Sequence, residues 1–281
     1  MSPSAGVYSH VADAAVEIFR HHGIGPLDKW VDDHIFFRIK CEHITDYNEA
    51  HSRWHQQIST VGTQRRGGRI WFEGHAAADG STEEFNEDFL APIQDWSHIS
   101  PHSKHDATFS YNIADIDGVS ATLGIPWETS KDQPFGSTTT YIGFVWDLQD
   151  RTVRLSPGKV VKYLALIKEW QSCATHRLED IQKLYGKLLH TASLIPAGRA
   201  YLTGLEHMLA VCTKKPFMLH RPDKAIHEEL MWWHRTIENR AAIHSIFPPP
   251  PRTDHHALRW LIASLILTQH RTQPKCIPLS M

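Results

Sequence analysis

Two short β-forming runs separated by a carboxylate pair constrain this chain's fold more than any other feature. Leu27-Asp28-Lys29-Trp30-Val31 and Ile35-Phe36-Phe37-Arg38-Ile39 flank Asp32, Asp33 and His34. Aromatic and β-branched residues on both sides of a short polar tip are a hairpin pattern. Asp-Asp is not the Asn-Gly or Asp-Gly pair that a tight turn prefers, so the tip invites a second explanation. Adjacent carboxylates raise each other's pKa unless a cation lies beside them. A divalent ion removes that cost, because Mg²⁺ takes oxygen ligands, commonly one or two protein carboxylates together with substrate phosphates. Two such ions, about 3.5–4 Å apart, clamp the attacking and leaving oxygens of a phosphoryl transfer. The plainer alternative is local turn chemistry, for which aspartate is common.

The rest of the chain divides by its patterning. Residues 4–22 carry Val7, Val11, Ala14, Ala15 and Ile18 at helical spacing, and Gly23 ends the run. The stretch 45–117 is mixed. In it Arg65-Arg66-Gly67-Gly68-Arg69 predicts a hairpin turn, Trp71-Phe72 a strand, 83–90 a short acidic helix and 97–105 a polar loop. Residues 141–146 predict one strand and 151–155 another, with Asp150 in the turn between them. After Pro157 the pattern is helical, with Thr175 a candidate N-cap and Leu178, Ile181, Leu184, Tyr185, Leu188 and Leu189 an apolar stripe. Residues 199–211 and 224–240 predict two more helices, and Pro248-Pro249-Pro250-Pro251 a stiff polyproline piece. The tail beyond it offers few organising signals. The expectation is an α+β chain in three parts: 1–155, a helical 156–247, and a Pro-rich, poorly organised 248–281.

Composition narrows the function classes. With 281 residues, 41% hydrophobic and 21% charged, the chain is of ordinary globular type with room for one large core or two smaller ones. A formal net charge of −2 excludes a simple polycationic nucleic-acid reader, so any such contact rests on local basic patches. The 21 histidines make charge pH-sensitive between roughly 5 and 7. Four scattered cysteines with no CxxC unit read as free thiols of a reducing, intracellular compartment, cytoplasmic or nuclear. No leader pattern is seen, and the longest apolar stretch, 260–267, is far short of the ~20 residues a bilayer span needs.

Lys29-Trp30-Val31-Asp32-Asp33-His34-Ile35-Phe36-Phe37 resembles the aromatic-x-Asp-Asp motif of reverse transcriptases. Ser2-Pro3-Ser4-Ala5-Gly6-Val7-Tyr8 and the helix that follows resemble the segment preceding that motif, which in the family helps hold template and incoming nucleotide. Leu123-Gly124-Ile125-Pro126-Trp127 with Lys131 resembles the next palm motif, whose lysine assists the leaving pyrophosphate. Tyr141-Ile142-Gly143-Phe144 resembles the primer-grip hairpin, and the helices over 159–240 resemble the thumb and connection of retrotransposon polyproteins, closest to elements carrying a tyrosine recombinase. The resemblance covers roughly residues 1–240. It implies a partial polymerase palm followed by an all-helical thumb and connection. It also implies RNA-directed DNA polymerisation on an RNA or DNA template-primer with dNTPs. Asp32 and Asp33 would be ligands of Mg²⁺ or Mn²⁺ and Lys131 the general acid. Ser2, Pro3, Tyr141, Gly143 and Phe144 would lie at the substrate, and Lys159, Lys162 and Lys168 on nucleic-acid phosphates.

The match departs in one important place. A palm of this family needs a third carboxylate on a strand upstream of the helix before the hairpin, and no such segment precedes this helix. The expectation is therefore weak or no polymerase activity for this chain alone, unless an upstream fingers segment or an accessory chain supplies the missing strand. A sheet missing that strand is expected to leave an open edge. The alternative function is a non-catalytic nucleic-acid- or protein-binding relic. Elsewhere, His98, His102 and His105 read as solvated loop histidines before a metal site. His227-Glu228-Glu229 fails the zincin pattern at Met231. Trp232-Trp233 reads as helix core before a base-stacking platform, and Lys183, Lys187, Arg65, Arg66 and Arg69 as either phosphate contacts or solvated faces.

Overall fold

The computed structural model describes residues 3–61, 63–66, 70–76, 82–85, 91–99, 101–239, 243–245 and 267–272. The chain forms two compact units, Met1–Ile142 with Pro249–Met281, and Gly143–Pro248. The fold class is mixed helix and antiparallel sheet, as the α+β expectation has it.

Unit 1 opens with helix α1 (Pro3–His21). Ala12, Ala15, Val16 and Phe19, one helical face, are buried. Strand β1 (Leu27–Trp30) follows and pairs antiparallel with β2 (Asp33–Arg38), Trp30 opposite Asp33. Phe19 meets Phe36 edge to face with ring centroids 5.3 Å apart, and Ile24, Leu27, Tyr111, Ile116 and Val119 complete the core. Helix α2 (Ile44–Val61) leads to an antiparallel sheet of β3 (Thr63–Arg66), β4 (Ile70–Ala76) and β5 (Thr82–Phe85). The first two strands bracket the expected Arg-Gly-Gly turn, whose residues 67–69 lie outside the described set. Residues 82–85 extend as a strand where the helix expected over 83–90 would begin, and 86–90 lie outside the described residues: Phe85 lies opposite Phe72 and Glu84 opposite Glu73, so cross-strand pairing overrides a weak helical pattern at 83–85.

Helix α3 (Ile113–Leu123) is closed at both ends by its own sequence. Asn112 and Asp115 form a reciprocal capping box, and Gly124 takes the left-handed cap at φ 65°. Strand β6 (Thr138–Tyr141) ends unit 1's central run. Ile142 and Gly143 then take φ 47° and 84°, so the single strand expected over 141–146 is two strands separated by a turn. Of the tail expected to be poorly organised, only residues 267–272 are described. Strand β10 (Leu267–Thr272) pairs antiparallel along all of β2, from Leu267 opposite Arg38 to Thr272 opposite Asp33. Strand β2 is therefore paired on both sides, by β1 and by β10. Strand β10 also lies beside β6 and the short turn Thr129–Lys131.

Unit 2 begins at β7 (Phe144–Asp147), which pairs with β8 (Thr152–Leu155). Helices α4 (Pro157–Ser172), α5 (Leu178–Ala192), α6 (Thr203–Cys212) and α7 (Lys224–Glu238) follow. Strand β9 (Ile243–Ser245) then returns to β8, Thr152 opposite Ser245. That return places the strands with the helices, so the division falls before Gly143, not near 155, and unit 2 is not all-helical. Thr175 does not cap α5; Arg177 holds that position, and its N–H donates to Asp180 Oδ2 at 3.1 Å. Tyr163, Ile167, Trp170, Ile181, Leu184, Leu188, Leu205, Met208, Leu230 and Trp233 form the buried stripe side of these helices. Gly198 is required where it stands: a Cβ there would lie 2.4 Å from the Trp233 ring, which donates its N–H to the Tyr201 carbonyl at 2.8 Å.

Candidate functional site

The carboxylate hairpin is a strained, internally braced turn. Val31 sits at φ 58°, a left-handed conformation that costs a β-branched residue about 1–2 kcal/mol. Asp32 lies in the turn and Asp33 starts β2. Lys29 Nζ is held at 3.0 Å by the Asp13 carboxylate and at 2.9 Å by both oxygens of Ser9, tying the hairpin to α1. His34 is fully buried, edge-on to Trp127 at 5.2 Å and stacked with Phe36 at 6.3 Å. Among the described residues neither ring nitrogen has a partner at good hydrogen-bond geometry, and the backbone of Asp32 and of Ala12 lies only near enough for a weak interaction. Burial pushes its pKa down to about 4, against the smaller opposing pull of the Asp32 and Ala12 backbone and of the Asp33 carboxylate.

Among the described residues no three His, Cys, Asp or Glu side chains gather to hold a metal ion. The strand lying against β2, where a third carboxylate would be useful, is β10, whose sequence Leu-Thr-Gln-His-Arg-Thr contains none. Lys131 closes the Thr129–Lys131 turn, exposed, and that turn reaches β10. Asp33 and the Lys131 turn thus neighbour the same strand. Pro3 opens α1, Tyr141 ends β6 with its side chain buried, and Ser2 lies outside the described residues.

Unit 2 carries the second cluster. Gly143 at φ 84° turns the chain into β7, and the Lys159 ammonium fills the space a Cβ there would occupy, 1.6 Å from it. The same ammonium lies 5.9 Å from the centre of the buried Phe144 ring, and the His190 ring stacks on Phe144 at 4.2 Å. Burial depresses the Lys159 pKa, and the nearby ammoniums of Lys187 and Lys162 depress it further. Lys162 of α4 and Lys187 of α5 thus lie near enough to Lys159 to act on its charge, and among the described residues neither forms an ion pair. Lys168 does not join them: nine residues past Lys159 at 100° per residue, it faces the opposite side of α4.

Several residues that organise unit 1 carried no sequence signal. Arg38 is 1% exposed, sandwiched by Phe109 at 4.5 Å and Phe135 at 4.0 Å and paired with Asp106 at 2.5 Å. That hydrogen bond from Arg38 is the main cause holding the Asp106 carboxyl below its usual range. His102, expected in a solvated loop, is buried, with Nε2 2.9 Å from Asp115 Oδ2. His98 and His105 remain exposed, as expected of loop histidines. Glu229 holds the start of α6 through the Gly204 N–H and the Thr203 hydroxyl. Trp233 is core, while Trp232 stacks flat on Tyr201 at 3.9 Å.

No family model, no curated protein and no solved structure matches this chain. No helix among the described residues is long and apolar enough to cross a membrane.

Proposed function

We propose that this chain is a retrotransposon-type reverse transcriptase derivative, a partial palm followed by a thumb, whose working surface is a nucleic-acid backbone site on the thumb unit. Nucleotidyl transfer by the Asp32–Asp33 hairpin is weak or absent in this reading. The observation that carries it is the Lys159 ammonium at the Gly143–Phe144 turn, with Lys162 and Lys187 near enough to lower its pKa. A local group of ammoniums on a chain of net charge −2 is how an acidic protein can still grip a polyanion.

The order of elements supports the polymerase ancestry: a helix, a hairpin bearing Asp32 and Asp33, a later helix and strand, then a helical unit. In this reading Asp32 and Asp33 would hold at most one Mg²⁺ or Mn²⁺. Two adjacent carboxylates alone fall short of a two-ion site. The template-primer duplex is the ligand, and dNTP use depends on a strand carboxylate from a further segment or accessory chain.

Fluorescence anisotropy with a labelled RNA–DNA primer-template tests the proposal. Wild-type protein is expected to bind with a dissociation constant of order 1–100 μM near physiological salt. Lys159→Ala/Lys187→Ala should weaken that roughly tenfold or more. Equal binding by the two proteins would remove the thumb site from the account. Primer extension with Mg²⁺ or Mn²⁺ is the companion assay. Robust extension that disappears in Asp32→Ala would replace the binding reading with a catalytic one.

A further inference from the structure

Strand β10 is the last described element of the chain, yet it lies beside one of the first. Between Ser245 and Leu267 the chain has 21 residues, including Pro248-Pro249-Pro250-Pro251. Fully extended, such a length reaches about 70 Å. Strand β10 pairs with β2 in unbroken antiparallel register over six residues and covers the edge that carries Asp33. Strand β2 is worth covering, since Ile35, Phe36, His34 and Arg38 are all buried and its other edge is already taken by β1. An edge of this kind, bared, pairs with whatever strand is offered. Strand β10 pairs with it residue for residue, and a strand joined to its own unit through 21 intervening residues can leave its own sheet and enter another's.

We propose that the β2 edge is a strand-acceptor site for an extended peptide in antiparallel register, filled by Leu267–Thr272 of the same chain, and that the occupant which replaces it is the Leu267–Thr272 strand of a second copy. The site is independent of the lysine cluster: it uses backbone donors and acceptors of β2, not charge. Tethering keeps it filled from within, since a segment on a linker of this length competes at an effective concentration that free peptide reaches only near millimolar. At high concentration, or after brief opening of the sheet, two copies exchange tails and form a dimer by reciprocal strand donation.

The test uses full-length protein and a fluorescent synthetic peptide spanning residues 264–273. In Gln269→Pro the central residue of β10, opposite Phe36, loses its backbone donor, so the strand cannot hold its place. The variant should bind the native peptide one to one, at least tenfold more tightly than wild type does. A peptide carrying the same proline should not bind. Failure of a Gln269→Pro chain with unchanged circular dichroism to take up the native peptide overturns the proposal. Hydrogen exchange on the wild type covers the case of a misfolded variant. The amides of 267–272 should exchange at least tenfold faster than those of the β1–β2 ladder. Equal protection of the two ladders overturns the proposal as well. Light-scattering mass at rising concentration completes the test: a dimer that 264–273 peptide dissolves supports tail exchange, and a dimer indifferent to the peptide contradicts it.

Discussion

Lys29 and Lys159 are both partly sheltered lysines beside an aromatic-edged turn, and the chain treats them in opposite ways. At Trp30-Val31-Asp32 the Lys29 ammonium is bonded to Asp13 and Ser9, so its charge is spent inside the fold. At Ile142-Gly143-Phe144 the Lys159 ammonium is pressed into the space above a glycine, with Lys162 and Lys187 close enough to repel it. Both turns contain a β-branched residue at positive φ, Val31 at 58° and Ile142 at 47°. Strain alone therefore does not separate them. What separates them is the neighbourhood of each charge: Lys29 is paired with Asp13, as Arg38 is with Asp106, whereas Lys159 has Lys162 and Lys187 near enough to lower its pKa. A carboxylate partner ties an ammonium into the core, whereas neighbouring like charges raise its energy.

The largest test of that contrast is Arg38→Ala. It leaves Asp106 without its main partner and a gap between the Phe109 and Phe135 rings, and should cost about 3–5 kcal/mol of unit 1's stability in urea unfolding. A loss under about 1 kcal/mol would mean that the pairing in unit 1 is cosmetic. Next in size is the acid response of His34. Above pH 6.5 its ring is neutral whether the chain is folded or not. Between 6.5 and about 4 the unfolded chain takes up a proton that the buried ring refuses, so stability falls with falling pH, by about 3 kcal/mol across the window. His176, buried and with its pKa also lowered by burial, adds in the same direction. Urea titrations from pH 7.5 to 4 should therefore show a decline that His34→Leu reduces. An identical decline in the variant would assign it to other groups. Smaller again is Gly143→Ala. Its methyl group meets the Lys159 ammonium and strains a φ of 84°, for roughly 1–2 kcal/mol of stability in a thermal melt together with weakened primer-template binding. Weaker folding with unchanged binding would detach Lys159 from the site.

The sequence foretold some of this and not the rest, for physical reasons. The α1 stripe, the hairpin around Asp32-Asp33 and the four unit 2 helices follow from local periodicity, which a single sequence carries. Lys159 and Lys162 were candidates on sight, because adjacent turns of one helix share a face, but Lys168 was grouped with them although the helical angle sends it to the other side. Their meeting with Lys187 and His190 depends on how α5 packs against α4, a tertiary fact. Arg38 gave no sign of burial, since its partners Asp106, Phe109 and Phe135 lie 68 to 97 residues away in sequence. The pairing of β10 with β2 was illegible for the same reason: 228 or more residues separate the partners, and Leu-Thr-Gln-His-Arg-Thr has little hydrophobic alternation to announce a strand. The turn at Ile142-Gly143 was missed because isoleucine is a poor candidate for positive φ.

The central claim is that Lys159, Lys162 and Lys187 act together on phosphate. The slope of log affinity for the RNA–DNA duplex against log salt concentration measures this directly, because each neutralised phosphate releases condensed counterions. Wild-type protein is predicted to give a slope of about −3, and Lys159→Ala/Lys187→Ala a slope shallower by about 2. Parallel lines for the two proteins, whatever their absolute affinities, would contradict it.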